Sequence, residues 1–253
     1  MTISYYSDDR DTRLAYVRLE ATAEGDSLPA VMFLGGFKSD MAGTKAVFLE
    51  EQCRARGQEF VRFDYSGHGE SDGAFADGTI GSWAQDALDV LDNIVKRDVV
   101  LVGSSMGGWI SLLLLKERPE RIKGVVGIAA APDFTKDIEE KMTDSDWDMV
   151  HKIGRLEVPN DYSVEPYIFT KDLLDDGKEN SLLDKTHNIE APLILLQGKL
   201  DDDVEWEKAN RIVKSFPGPE TQAIFIDDGD HRLSRDQDLK LIDQQVCRIS
   251  AAL

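Results

Sequence analysis

The sequence predicts an α/β protein with a mostly parallel, doubly wound sheet. Short apolar runs alternate with segments of helical periodicity along most of the chain. Such alternation is typical of parallel strands whose connecting helices cover both faces of the sheet. Hydrophobic residues make up 42% of the 253 residues and charged residues 30%. This composition supports a packed core in one large domain or two small ones.

The first half of the chain supplies three predicted strands and three predicted helices. The strands are "PAVMFLGG", "EFVRFDY" and "VVLV". The first helix runs from Gly43 to a glycine stop at Gly57, and the third, "MGGWISLLLLKERP", ends before Pro119. The second helix is strongly amphipathic. Its apolar face consists of Ile80, Trp83, Ala84, Ala87, Leu88, Leu91, Ile94 and Val95.

The remaining elements continue the alternation, except in one segment. The further strands are "GVVGIAAA", "PLILLQG" and "QAIFIDD", and the further helices are "EWEKANRIVKSFPG" and the C-terminal helix. Residues 132–191 lack a clear strand and mix many acids with large apolar residues, namely Phe134, Met142, Trp147, Met149, Tyr162, Tyr167 and Phe169. We expect this segment to be a small cap insertion over a core of residues 1–131 and 192–253. A poorly structured surface excursion is the alternative.

Charge and cysteine usage exclude several classes of protein. The net charge of −19 repels phosphate backbones and no basic patch is visible, so nucleic acid is not an expected partner. Cys53 and Cys247 lie far apart in predicted helices, which indicates free thiols in a reducing compartment. No signal peptide, transit peptide or uninterrupted membrane span is visible, so we expect a cytoplasmic protein. The oligomeric state is left open.

A glycine-rich turn interrupts the apolar run between Asp98 and Lys116. The string "GSSMG" matches G-x-S-x-G and falls between a predicted strand and a predicted helix. A sharp strand-to-helix turn crowds the positions two before and two after its central residue, so glycine is required at both. The spacing selects Ser105 rather than Ser104 as the exposed nucleophile. A simple packing turn is the alternative, since the motif alone is short.

A nucleophilic serine needs a base and an orienting acid. His231, in "DDGDHRLS", follows the strand "QAIFIDD", and Asp201, Asp202 and Asp203 follow the strand "PLILLQG". All the candidates come after carboxyl ends of predicted strands, where open parallel sheets hold their sites. For the developing oxyanion, the backbone N–H groups of Met106 and of Phe37 in "LGGF" are the expected donors.

Five motifs together resemble the α/β-hydrolase superfamily: "LGGF", "FDYSGHGESDG", "GSSMGG", "GKLDDDV" and "GDH". Within it, "GTKA", "GSSMGGW" and "DHR" are similar to the mitochondrial group of acyl-protein thioesterases that also act as acyl-glucuronide esterases. The family pattern G-x-x-D-x-x-V falls on Gly198, Asp201 and Val204, which implies that Asp201 is the acid. The resemblance also implies an oxyanion hole at Phe37 and Met106. Leu34 stands where many relatives have histidine, which leaves the backbone donors in place.

These observations predict a serine hydrolase that acts on an acylated or other small-molecule ester or thioester. An amidase or peptidase of the same fold is the alternative, as is a ligand-sensing protein without turnover. No cofactor is expected, because "SGHGESDG" spaces its glycines one residue too far apart for a dinucleotide fingerprint. No metal is expected either, since His-Glu-x-x-His and paired Cys-x-x-Cys are absent. His68 is interpreted as a structural residue of its loop.

Overall fold

The computed structural model describes residues 2–7, 12–159 and 166–252. The strands of this part of the chain are β1 (Ser4–Ser7), β2 (Arg13–Leu19), β3 (Ala30–Leu34), β4 (Phe60–Phe63), β5 (Val99–Ser104), β6 (Ile122–Ile128), β7 (Arg155–Val158), β8 (Tyr167–Thr170), β9 (Leu193–Gly198) and β10 (Thr221–Ile226). The helices are α1 (Thr44–Ala55), α2 (Ile80–Asn93), α3 (Met106–Glu117), α4 (Phe134–Lys141), α5 (Asp144–Ile153), α6 (Lys171–Glu179), α7 (Lys208–Ser215) and α8 (Asp236–Ala251). Over these residues, no helix combines the length and apolar character that crossing a membrane requires.

Eight strands form the central sheet in the order β1-β2-β4-β3-β5-β6-β9-β10. The six strands from β4 to β10 in this order are parallel, while β2 pairs with β4 and β1 with β2 in antiparallel fashion. The prediction of a mostly parallel, doubly wound sheet is therefore confirmed. The chain order reverses between β3 and β5, and open α/β sheets hold their ligands at such a point.

Side chains alternate along the central strands between two buried layers. In β3, Met32 and Leu34 pack with α2 and α3, whereas Val31 and Phe33 pack with α1 and α8. The same alternation in β5 sends Leu101 to the first layer. Helices thus cover both faces of the sheet, and the loops at the carboxyl ends of the strands are left to form a site.

The two N-terminal strands are absent from the sequence prediction. In β2, adjacent Leu14 and Ala15 are both buried, so the strand has no clean alternation of apolar and polar residues. The register of β2 is fixed by its pairing with β4, from Tyr16 opposite Phe63 to Leu19 opposite Phe60. A long-range contact, rather than a local pattern, therefore makes this strand.

The segment between β6 and β9 holds α4, α5, α6 and the hairpin of β7 and β8. The expectation that this segment lacks a strand is wrong, because Arg155–Val158 pairs antiparallel with Tyr167–Thr170. Each strand is four residues long and only Phe169 is buried, so the apolar pattern is too short to predict a strand. Residues 160–165, including Tyr162, lie outside the described residues.

Candidate active site

Ser105 lies in a strained turn between β5 and α3. Its backbone has φ 54° and ψ −115°, a positive-φ conformation that costs free energy for any residue with a side chain. The flanking glycines have a steric reason. A Cβ atom on Gly103 would lie 2.3 Å from the Gly107 carbonyl oxygen, and one on Gly107 would lie 2.1 Å from the Leu34 carbonyl oxygen. Only glycine fits at either position, as the motif requires.

Asp201 and His231 form a hydrogen-bonded pair. The Nδ1 atom of His231 lies 3.1 Å and 3.0 Å from the two carboxylate oxygens of Asp201. The loops after β9 and β10, which are neighbouring parallel strands, bring the two residues together. Asp202 and Asp203 are exposed, whereas the Asp201 side chain is 0% exposed and that of His231 is 18% exposed. The histidine thus keeps one edge accessible while its partner is buried.

Several N–H donors hold the Asp201 carboxylate in place. Gln197 Nε2 donates over 2.8 Å, and the backbone N–H groups of Asp203 and Val204 donate over 3.0 Å and 2.8 Å. Burial alone raises the pKa of Asp201, but the hydrogen bonds and the charge interaction with His231 outweigh it, so the pKa lies below its ordinary value. An ionised carboxylate only accepts, so Nδ1 of His231 carries the proton and Nε2 is left to accept one.

Among the described residues, Asp201 and His231 are also candidate metal ligands, together with Asp203. Atoms of Asp201, Asp203 and His231 lie within 4.8 Å of one another. In the observed arrangement, however, N–H donors from His231, Gln197 and the backbone converge on the Asp201 oxygens. A cation would have to displace these donors, so the donor set fits an acid–base pair better than a metal centre.

Ser105 and His231 line one cavity of about 920 Å³. Among the described residues, the Ser105 hydroxyl makes no hydrogen bond, with His231 or with any other group. Catalytic hydrogen bonds are often absent or long in unliganded sites and form when substrate binds. The cavity places the hydroxyl and the imidazole within reach of the same bound molecule.

The loop after β3 passes beside Ser105. A Cβ atom on Gly36 would lie 3.5 Å from the Ser105 Cβ atom, so the backbone of this loop is close to the hydroxyl. The N–H groups of Phe37 and Met106 have no hydrogen-bond acceptor within residues 2–7, 12–159 and 166–252. Two unpaired backbone donors next to a serine are what an oxyanion requires.

The segment between β6 and β9 supplies the apolar wall of the cavity. The apolar lining residues from this segment are Phe134, Ile138, Met142, Leu156, Val158, Pro159, Tyr167 and Phe169. Phe169 stacks on Phe37, with ring centroids 5.4 Å apart, so the wall continues into the loop after β3. Trp147, which the sequence analysis groups with these residues, is not among the lining residues; it stacks on His151 instead.

A family model described as "Serine aminopeptidase, S33" matches residues 26–164. The mitochondrial palmitoyl-protein thioesterase ABHD10 of Mus musculus is 32% identical over 98% of this chain and 81% of its own length. That of Homo sapiens is 31% identical over 90% and 74%. The chain belongs to this α/β-hydrolase family. The confirmed resemblance covers nearly the whole chain.

Solved structures agree with this membership of the α/β-hydrolases. A putative hydrolase from Agrobacterium vitis S4 has a TM-score of 0.93 and 37% identity, covering 99% of this chain and all of that one. Alpha/beta hydrolase domain-containing protein 10 from mouse has a TM-score of 0.88 and 30% identity, covering 100% and 98%.

The comparison corrects one expectation for this α/β-hydrolase. The cytoplasmic location predicted from the sequence is contradicted, since the relatives that match over most of the chain are named mitochondrial proteins. The prediction rested on the absence of a recognisable targeting pattern, and such an absence is weaker than a positive match.

The sequence analysis does not identify two residues that support the site. Gln197, which holds Asp201, is the polar exception in the apolar strand "PLILLQG". Lys45 Nζ donates to the Arg232 carbonyl over 2.6 Å and so holds the loop after His231. Burial lowers the pKa of Lys45 to about 8. A lysine in the first turn of a helix opposes the helix dipole, and this mismatch was the available signal.

Replacement of Asp201 tests the acid–base pair. Asp201→Asn is expected to lower the free energy of unfolding at neutral pH by about 1–3 kcal/mol, the usual cost of breaking a buried hydrogen bond to a charged group. Because the folded pKa is below the unfolded one, this stabilisation is present above about pH 4 and is lost as the pH falls through the folded pKa. Urea unfolding of both proteins across the acid range measures the difference.

Asp202→Asn is the matched control, since Asp202 is an exposed neighbour of the same chemical type. It should change the free energy of unfolding by less than about 0.5 kcal/mol. Equal losses in the two variants, or a loss in Asp201→Asn that persists unchanged at low pH, would contradict the assignment.

Proposed function

We propose that this α/β-hydrolase cleaves acyl esters or thioesters through an acyl-enzyme on Ser105. The observation that carries the proposal is that His231, paired with the buried Asp201, lines the same cavity as Ser105 in its strained turn. The relatives that match over most of the chain are named palmitoyl-protein thioesterases, which favours an acyl substrate. An acyl ester or thioester is therefore the proposed substrate class.

The reaction begins when the Ser105 Oγ attacks the carbonyl carbon and its proton passes to Nε2 of His231. Asp201 stabilises the imidazolium that results. The carbonyl oxygen becomes an oxyanion that accepts hydrogen bonds from the N–H groups of Phe37 and Met106. The intermediate collapses, the alcohol or thiol leaves with the proton from His231, and a water molecule then releases the acid by the same steps. The Asp201 carboxylate keeps its charge throughout, as its lowered pKa favours.

Residues 132–191 act in this proposal as a cap on the core of residues 1–131 and 192–253. The apolar residues of this segment on the cavity wall form a binding surface for the acyl chain. Two alternative functions are distinguished by the experiments below. The family description names an aminopeptidase, so an amide substrate is one, and binding without turnover is the other.

Labelling with a fluorophosphonate and hydrolysis of p-nitrophenyl esters and acyl-CoAs test the assignment of Ser105. Ser105→Ala should abolish labelling and lower kcat by about 10³-fold or more, because the three residues act as a unit. Ser104→Ala is the matched control and should keep both. Labelling that depends on Ser104 would refute the turn assignment, and hydrolysis of aminoacyl amides in preference to esters would refute the substrate class.

Phe169→Ala tests the acyl wall. The substitution enlarges a cavity that should bind the chain with about 0.8 kcal/mol per methylene, so we expect the preferred acyl length to increase by two carbons or more. The kcat/KM values over a series from acetyl to palmitoyl measure this. Trp147→Ala is the control, since Trp147 lies in the same segment but not on the cavity wall. A wild-type profile without any preference for chain length, or an equal shift in both variants, would contradict the wall.

A further inference from the structure

His68 lies behind the loop that carries Phe37. It belongs to the motif "SGHGESDG" after β4, and it is 4% exposed. Its Nε2 atom accepts a hydrogen bond from the backbone N–H of Lys38 over 3.3 Å. Its Nδ1 atom lies 3.2 Å from the carbonyl oxygen of Ser66. Both ring nitrogens are therefore engaged with backbone groups.

These two partners define the tautomer of His68. The Ser66 carbonyl can only accept, so Nδ1 carries the proton, and the Lys38 N–H can only donate, so Nε2 carries the lone pair. The imidazole is thus neutral. Burial lowers its pKa, which favours the neutral form. A second proton on Nε2 would face the Lys38 N–H and break this hydrogen bond.

The backbone that His68 holds is strained. Lys38 has φ 56°, a left-handed conformation unfavourable for a residue with a side chain. The peptide unit that joins Gly36 to Phe37 contains the N–H of Phe37, the proposed oxyanion donor. The hydrogen bond from the Lys38 N–H to His68 fixes the peptide plane between Phe37 and Lys38. The turn that contains both residues therefore cannot relax freely.

Aromatic packing connects the same groups. The Phe37 ring contacts Phe75 with centroids 4.8 Å apart, and the His68 ring contacts Phe75 and Trp83 at 5.1 Å and 5.2 Å. Within the described residues, the titratable groups against His68 are Tyr65, whose ring lies at 5.6 Å, and Asp86 of α2. The charge of Asp86 favours the protonated form of His68, but burial outweighs it, and the Asp86 carboxylate accepts hydrogen bonds from the N–H and hydroxyl of Ser66.

We propose that His68 is a positioning residue of the oxyanion hole: its neutral imidazole holds the strained Phe37–Lys38 turn so that the Phe37 N–H faces the reacting carbonyl. The inference rests on the proposed function of Ser105. It assigns to a buried loop histidine a role in stabilising the transition state through the backbone, without contact to substrate.

Kinetics of two variants test this role. His68→Leu removes the acceptor and keeps an apolar side chain, so kcat should fall by about 10- to 100-fold, somewhat less than loss of a whole donor, while KM stays within about twofold. Inhibition by an alkylboronic acid, which forms a tetrahedral adduct, should weaken in parallel with kcat. In His68→Gln the side-chain amide can again accept from Lys38, and most of the kcat should return.

His187→Leu is the matched control. His187 is also a loop histidine bonded to a carbonyl, that of Leu182 at 3.1 Å, and its ring packs against Phe216, but it does not line the cavity. This variant should keep the wild-type kcat. A second readout is ¹H–¹⁵N imidazole NMR, which should show the Nδ1–H tautomer for His68 at neutral pH.

Three results would overturn the inference. One is an unchanged kcat in a folded His68→Leu variant, and another is an Nε2–H tautomer of His68. The third is a His68→Leu defect that appears only as a lower melting temperature and a smaller active fraction. In each case a wild-type protein that still turns over esters through Ser105 would leave the proposed function intact. A wild-type protein without turnover would instead refute the proposed function itself.

Discussion

The close approach of helix α3 to strand β3 is the constraint from which the candidate site follows. Gly107 sits so near the Leu34 carbonyl that a single added carbon would lie 2.1 Å from its oxygen. The contact brings the start of α3 against the loop that leaves β3. Ser105 therefore lies beside the loop after β3, at the point where the strand order reverses. Ser105 has a strained, positive φ, and such strain persists where the surrounding packing holds the backbone in place.

The acid–base half of the site has a different physical origin. It rests on hydrogen bonds rather than on steric fit, since Asp201 is buried and a buried charge is costly unless it is well paired. Gln197, two backbone N–H groups and His231 provide that pairing. Lys45 then fixes the histidine loop from the side of α1. The two halves meet at one cavity, and the segment between β6 and β9 lines part of it with apolar side chains.

Local sequence patterns could predict the features with local causes. The buried parallel strands read as apolar runs, and the glycine spacing around Ser105 follows from one tight turn. The three candidate catalytic residues each follow the end of a predicted strand, in the chain order Ser105, Asp201 and His231. Features made by distant contacts could not be found this way. Strand β2 takes its register from β4, and the paired strands β7 and β8 are only four residues long. The hydrogen bond from Lys38 to His68 joins residues 30 positions apart.

The most direct test of the account is a crystal structure of the protein after reaction with a long-chain alkyl fluorophosphonate. We expect the phosphorus on the Ser105 Oγ and one phosphoryl oxygen about 2.7–3.1 Å from the backbone nitrogens of Phe37 and Met106. The alkyl chain should lie against Phe169. Phosphorus bound to another residue, or a phosphoryl oxygen turned away from both backbone nitrogens, would contradict the account.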